Sequence, residues 1–323
     1  MTTQEKKRYD FLVGELSKVR TLTEHDLGWL ESLVTKAVFM DLRCDFALKH
    51  ILYDKEVLIM LIRDLLGEDV VDLDDTSRLP NEIDRFFAGD KNATMDVVAV
   101  TRDKRRIIIE IQQKKLDDFS NRILYYAAGM LYTQIQKGEH YDELKQVYVI
   151  CFLDYEFPHG GDGFVSRYAM RELERNECLS DLLNVHFYEL PRLHKRSMEG
   201  LTPIEGWLYL LKNLHKFADK PEGMDQRFEK VIDMARFHYL PDEEQLNYAR
   251  AMISEYEKKN IGQGSYKLGV EWGKIYGREE GLAEGRKEGR VEGEAKGRED
   301  VARKLREMGM NPEDILKVTG VAL

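Results

Sequence analysis

Three deficits narrow the field before any motif is considered. The chain has only three cysteines in 323 residues, Cys44, Cys151 and Cys178, far apart and with no CxxC pair. That spacing argues against a zinc knuckle or a disulfide framework and fits a reducing cytoplasm. No apolar run approaches the roughly 18 residues of a membrane span. The opening MTTQEKKRYD is polar, so neither a transmembrane segment nor a signal peptide is expected. Net positive charge is missing too, the formal value being −10. Non-specific binding to phosphates is largely electrostatic, so the bulk charge counts against a nucleic-acid partner.

What is present is the composition of a soluble globular protein, 43% hydrophobic and 33% charged. The length allows a sizeable core and more than one folded unit. Residues 1–40 carry amphipathic helical spacing, with Phe11, Leu12, Leu16, Leu27, Leu30 and Leu33 on the apolar side. A helix is expected from Asp45 through Leu66 with Gly67 as its stop, and another from about 118 to 137 ending at Gly138. Strands are expected at 95–100, 106–112, 146–153 and 185–190. Alternation of strand and helix points to an α/β or α+β core. Residues 196–260 return to helix, with Trp207, Leu208, Leu210, Leu211 and Leu214 as an apolar stripe.

The tail changes character. Glycine falls at every fourth position from Gly269 to Gly297 amid Glu, Arg and Lys. A four-residue period exceeds 3.6, so the glycine row drifts around a helix, and partners following it would wind right-handed. Each glycine lowers helix propensity by about 1 kcal/mol relative to Ala. Two readings stand: a helix stabilised by close packing on another chain, or a charged linker. The final stretch VARKLREMGMNPEDILKVTG has Gly309 as a stop, Asn311 as an N-cap, Pro312 in the first turn and Asp314 at the capping-box position. It reads as a short helical hairpin, with a DNA-reading helix-turn-helix as the alternative.

The most informative stretch is MDVVAVTRDKRRIIIEIQQKK, residues 95–115. From Thr101 to Lys115 six Lys/Arg stand against Asp103 and Glu110, a local positive field that can attract a polyanion or simply a solvated hairpin with basic edges. Each apolar run nevertheless holds one carboxylate. Strand alternation puts Ile107, Ile109 and Ile111 on one face and Ile108, Glu110 and Gln112 on the other. If residues 102–104 form a three-residue loop, Asp96 falls opposite Glu110. Opposed like charges are destabilising, and a shared divalent cation removes that penalty. The alternative is a pair of solvated acids at a strand start and on an exposed face. Gln112, on the face of Glu110, offers an amide that orients a water without adding charge.

These residues resemble the PD-(D/E)XK nuclease superfamily and, more narrowly, the Rpn-type recombination-promoting nucleases, also described as PD-(D/E)XK family putative transposases. Asp45-Phe46-Ala47-Leu48-Lys49 is similar to their D-F-A-F-K motif, and IEIQ at 109–112 to their (I/V)-E-(M/I)-Q strand. Arg122 with Tyr125-Tyr126 resembles R-x-x-Y-Y, Gly138 to Tyr141 the G-x-x-Y turn, and the glycine-repeat tail ending in G-M-x-P-E-D-I is similar as well. The patterns above divide the chain into four regions, a helical extension (1–40), a mixed helix and strand domain (41–195), a helical region (196–260) and the tail (261–323); the resemblance covers the second as a nuclease-like domain with a mixed sheet flanked by helices, and the tail less closely.

By the same resemblance Asp96, Glu110 and the carbonyl of Ile111 bind Mg²⁺, with Mn²⁺ as substitute. Gln112 stands where the superfamily has Lys, as is usual in Rpn-like members, and Met95 where it has Pro. An amide is no base at neutral pH, so activation of the water falls to the cation. Asp45 and Glu82 are candidate auxiliary acids. Lys49, Lys114, Arg122 and Tyr126 are candidate phosphate contacts, with Arg122 sharing a helix face with Tyr126, Gly129 and Thr133 opposite a stripe of Phe119, Ile123, Ala127 and Leu131. Arg122 also reads as a structural partner of Glu110 or Asp96, and Asp45 with Lys49 as a helix cap and its salt bridge. The expected function is a Mg²⁺-dependent DNA endonuclease promoting recombination or transposition, cytoplasmic, with no membrane partner and self-associating through the tail. The alternative is a nuclease-like module that binds DNA or protein without cutting.

Overall fold

A computed structural model describes residues 1–67, 96–158 and 161–257, with isolated residues at 297, 301, 303–306, 311, 318 and 320. Glu82, Met95, the glycine row before Gly297 and most of the closing hairpin lie outside the described residues. The chain divides into two compact units, Met1–Glu255 and Tyr256–Leu323.

In the first unit α1 (Thr3–Ser17) and α2 (Glu24–Lys36) each start on a capping box, from Thr2 to Glu5 and from Thr23 to Asp26. These boxes satisfy two orphan backbone donors apiece. The segment expected as one helix is two, α3 (Asp45–Leu52) and α4 (Lys55–Leu66). The break lies at Asp54, whose carboxylate caps Glu56 and Val57 N–H and restarts the helix. Gly67, at φ 99°, is the C-cap of α4, a conformation that favours glycine.

The sheet follows. Strand β1 (Val97–Val100) pairs antiparallel with β2 (Arg106–Gln112), which pairs parallel with β3 (Val147–Leu153). β3 pairs parallel with β5 (Cys178–Glu189), and β4 (Val165–Arg171) lies antiparallel on β5 at the edge, giving the order β1-β2-β3-β5-β4. Helix α5 (Phe119–Tyr132) connects β2 to β3. Behind the sheet come α6 (Pro203–Asn213), the short α7 (Glu229–Met234) and a helix over residues 242–257, α8.

This mixed sheet flanked by helices is the expected α/β core. Ile107, Ile109 and Ile111 enter a large core with Phe39, Leu48, Ile51, Leu61, Trp207 and Leu210, so the first forty residues and the late helices share one apolar interior with the sheet. Ile108 faces the other way, into a smaller core with Phe119, Ile123, Tyr126, Ala127 and Met130 of α5. The two-residue alternation of β2 thus feeds both layers.

Two expectations about extent are corrected. Helix α5 ends at Tyr132 rather than near 137. Arg106 reaches across from β2 and donates to the carbonyls of Met130 (3.0 Å) and Thr133 (3.1 Å), tying off carbonyls of the last turn from another element. The last strand begins at Cys178 rather than 185, and its partner β4 was not expected at all. β4 is exposed on both faces from Arg167 to Arg171, so it carries no apolar alternation to read.

Candidate active site

The hairpin delivers the two carboxylates to one place. Arg102, Asp103 and Lys104 form the loop, with Lys104 left-handed at φ 69°. It is closed by Thr101 N–H donating to Arg105 O at 3.0 Å. That is the three-residue arrangement of a turn followed by one left-handed residue. The register Val97↔Ile109 then sets Asp96 opposite Glu110 one step further on. The pair interlocks through the backbone: Asp96 N–H donates to Glu110 Oε1 at 3.2 Å, and Ile111 N–H donates to Asp96 Oδ2 at 2.9 Å. Glu110 is 2% exposed and the Asp96 side chain 15%.

Burial pushes the pKa of both carboxyls well above the ordinary carboxylate range, and for Asp96 the neighbouring Glu110 charge adds to the rise. Two acids held this close share their protons as a pair. Arg122 and Lys49 partly offset the shift at Glu110.

Helix α3 brings the D-F-A-L-K segment to this pair. Lys49 Nζ lies 2.7 Å from Asp45 Oδ1, one helical turn back, and 3.8 Å from Asp96 Oδ1. Asp45 sits in the first turn and is not the cap; that position belongs to Cys44, whose side chain caps nothing. Gln112 Nε2 stands 3.5 Å from Glu110 Oε2, on the shared face that alternation requires.

Above them, Arg122 at the start of α5 makes no hydrogen bond to either acid. Its Nε and Nη2 are buried without partners, and its guanidinium carbon lies 5.4 Å from the Phe119 ring centre. The expected facing of α5 is corrected here. Tyr126 is buried with Ile123 and Ala127 on the sheet side, Met130 fills the place given to Leu131, and Thr133 serves the Arg106 cap. Burial and the Glu110 charge push the Tyr126 phenol upward. Lys114 is half-buried two residues past β2.

Does this set suit a divalent cation? Among the described residues no three His, Cys, Asp or Glu side chains form a ready cage. The donors present are the buried Glu110 carboxylate, the half-buried Asp96 carboxylate and a backbone edge. Because Ile111 N–H turns toward the β1 side to meet Asp96, its carbonyl faces that side as well, residues along a strand alternating between their two neighbours. Hard oxygen donors with excess buried negative charge match Mg²⁺ or Mn²⁺ chemistry. The residues fit.

Several groups around the site gave no local signal in sequence. Arg43 grips Asp41 and Asp154, and Asp154 N–H donates to the Gln112 carbonyl at 2.9 Å. Glu255 of α8 accepts from Gln113 Nε2 (2.7 Å) and from Asp45 N–H (3.3 Å). The Arg43–Asp154, Gln113–Glu255 and Asp45–Glu255 contacts each join residues more than a hundred positions apart, which no spacing rule reaches. The R-C-D-F-A-L-K run does contain Arg43, and that adjacency was the one available clue.

Searches of the curated proteins and of the solved structures return no match. The family model for PD-(D/E)XK nuclease family transposases matches residues 42–264, well over half of the chain and the whole of the sheet. That span holds Asp45, Lys49, Asp96, Glu110 and Gln112, and the chain belongs to the PD-(D/E)XK nuclease family transposases.

Proposed function

We propose that the protein is a Mg²⁺-dependent DNA endonuclease of the Rpn type that hydrolyses phosphodiester bonds in recombination or transposition. The observation that carries this reading is the buried, interlocked pair of Asp96 and Glu110, an arrangement of like charges that a folded protein keeps at a cost unless a cation uses it. Asp96, Glu110 and the Ile111 carbonyl would hold the ion. When bound, the ion supplies Lewis acidity and an acidified water.

The remaining roles belong to side chains. Gln112 orients the attacking water through its amide, as a donor and acceptor that adds no charge. Lys49, 3.8 Å from Asp96, supplies the cation that the Gln112 position lacks and is placed to meet a phosphate oxygen. The unpartnered Nε and Nη2 of Arg122 lie along one edge of the guanidinium, the fork that grips two phosphate oxygens. Tyr126 backs that fork from the buried side of α5. Lys114, Asp45 and Glu82 complete the proposed set as a phosphate contact and auxiliary acids. A cytoplasmic setting agrees with three free cysteines, and no helix among the described residues is long and apolar enough to cross a membrane. Self-association through the glycine row belongs to the same proposal and rests on sequence alone.

A second reading, a DNA- or protein-binding module that does not cut, is favoured by the amide at Gln112 and the acidic net charge. Nicking of supercoiled plasmid with Mg²⁺ or Mn²⁺, run beside Asp96→Ala, separates the two. Nicking by wild type alone supports the endonuclease. Equal nicking by both proteins, or none by either, supports the module.

A further inference from the structure

We infer that Arg43 is a positioning residue for the acid pair, its guanidinium riveting the segment that leads into α3 to the strand ends that carry Gln112. The site is assembled from two pieces. Helix α3 carries Asp45 and Lys49, and the β1–β2 hairpin carries Asp96 just ahead of β1 and Glu110, Ile111 and Gln112 at the end of β2. The contact between the pieces at the site itself is loose, Lys49 standing 3.8 Å from Asp96. Firm contacts lie one layer back, and they converge on Arg43.

Its Nε donates to Asp41 Oδ1 at 2.9 Å, its Nη2 to Asp41 Oδ2 at 2.6 Å and its Nη1 to Asp154 Oδ2 at 2.9 Å. Asp41 is itself fixed, its N–H donating to the buried Tyr248 hydroxyl at 2.9 Å. Asp154 in turn holds the Gln112 carbonyl through its own N–H at 2.9 Å. The Arg43 carbonyl accepts from Gln113 Nε2 at 2.9 Å, and the same amide donates to Glu255, which also accepts from Asp45 N–H. Two residues before α3 and through one side chain on each of Asp154 and Gln113, Arg43 therefore touches both pieces.

A guanidinium makes this link and an ammonium does not, since three nitrogens in one plane are used toward two carboxylates in different directions. Arg43 makes no hydrogen bond or ion pair to Asp96 or Glu110 among the described residues, so its effect passes through the residues it holds. Groups hydrogen-bonded to a metal ligand change ion affinity or activity about 10- to 100-fold when lost, and Arg43 stands one step behind such a group, at the lower end of that range.

The inference rests on the nuclease reading of the acid pair, and the test separates the two. The full-length Arg43→Lys protein is compared with wild type in Mn²⁺ affinity by calorimetry, in single-turnover cleavage of a DNA duplex with Mn²⁺, and in duplex affinity with Ca²⁺. The rivet predicts that Mn²⁺ affinity and the cleavage rate at saturating DNA each fall about tenfold, while duplex affinity stays within about twofold. Combining Arg43→Lys with Gln112→Ala should slow cleavage no further than the slower single change, because Gln112 has already lost its placement.

If Arg43→Lys does not fold, Asp154→Asn takes its place. It keeps the N–H on Gln112 and weakens the ion pair, and the same pattern is expected. Unchanged Mn²⁺ affinity and cleavage with only a lower melting temperature would overturn the inference, as would a loss confined to duplex affinity. Wild type that binds Mn²⁺ without cutting ends the nuclease reading and leaves the Mn²⁺ comparison to judge the rivet. Wild type that binds no Mn²⁺ ends both.

Discussion

Asp96 donates its backbone N–H to the carboxylate of Glu110 at 3.2 Å, and the backbone next to Glu110 returns the favour through Ile111 N–H to Asp96 at 2.9 Å. Two acids are thus locked face to face by main-chain bonds that neither can leave without opening the end of the hairpin. In the metal-free protein this has a measurable consequence. Each carboxyl holds its proton more tightly folded than unfolded, because burial penalises the charged form and the two charges repel. Such groups contribute stability that is complete below the ordinary carboxylate range near pH 4 and is lost as pH rises through the raised range. With chelator present, melting temperature should fall as pH rises through neutrality. Buried His186 and half-buried His215 and His238 work in the opposite direction, so the pair is read as the difference between wild type and Asp96→Asn. Asp96→Asn should melt higher than wild type at pH 8 without metal, by about 2–4 °C for each kcal/mol recovered. It should also lose divalent binding by calorimetry. Equal ion affinity in the two proteins sinks the shared-ion reading.

Gln112 and Arg122 should fail in different ways. Gln112→Ala is expected to slow cleavage with ion affinity largely kept, since a neutral amide two residues on is a weak Mg²⁺ ligand. Arg122→Ala is expected to weaken DNA affinity and to lower the salt slope by about one unit, the signature of one lost phosphate contact. Salt titrations of duplex binding for both variants check this. An Arg122→Ala protein that loses its fold instead shows that the buried fork serves the stack on Phe119 and not DNA.

The Arg106 cap yields a prediction about stability alone. Arg106→Ala removes charged donors from the Met130 and Thr133 carbonyls and leaves the end of α5 unsatisfied. The expected cost is about 2–3 kcal/mol, with faster amide exchange confined to the last turn of α5. Exchange spread evenly over the sheet would contradict the cap.

Arg106 also shows where sequence stops being legible. The hairpin was readable because everything that fixes it is local: alternation assigns the isoleucines and Glu110 to opposite faces, and three loop residues set the register. The fold class followed from strand and helix order. What could not be read was held at a distance. Helix α5 is ended by a residue from β2, and Tyr126 turned inward because the sheet offered it a second core; the α3–α4 break, by contrast, is local, Asp54 capping the Glu56 and Val57 N–H groups. The rivet of Arg43, Asp41 and Asp154 spans more than a hundred residues. Edge strand β4 lacked even a local signal, its side chains being exposed on both faces from Arg167 to Arg171.

The sequence of the tail carries a prediction about assembly. Glycine at every fourth position from Gly269 to Gly297 leaves little intrinsic helix propensity. Glycine rows let helix backbones approach closely, and the interleaved Glu, Arg and Lys can pair across such a contact. A nuclease that breaks both strands of a duplex also gains from two sites in one assembly. The full chain is therefore expected to be at least dimeric, and a chain truncated after Asn260 monomeric. The truncated form retains Met1–Glu255, the compact unit that holds the acid pair, so its Mn²⁺ affinity should match that of the full chain. Sedimentation velocity of the two proteins decides the matter. A monomeric full chain whose tail is cleaved readily by protease would assign residues 261–298 to the charged-linker reading and would leave pairing of two sites to some other surface.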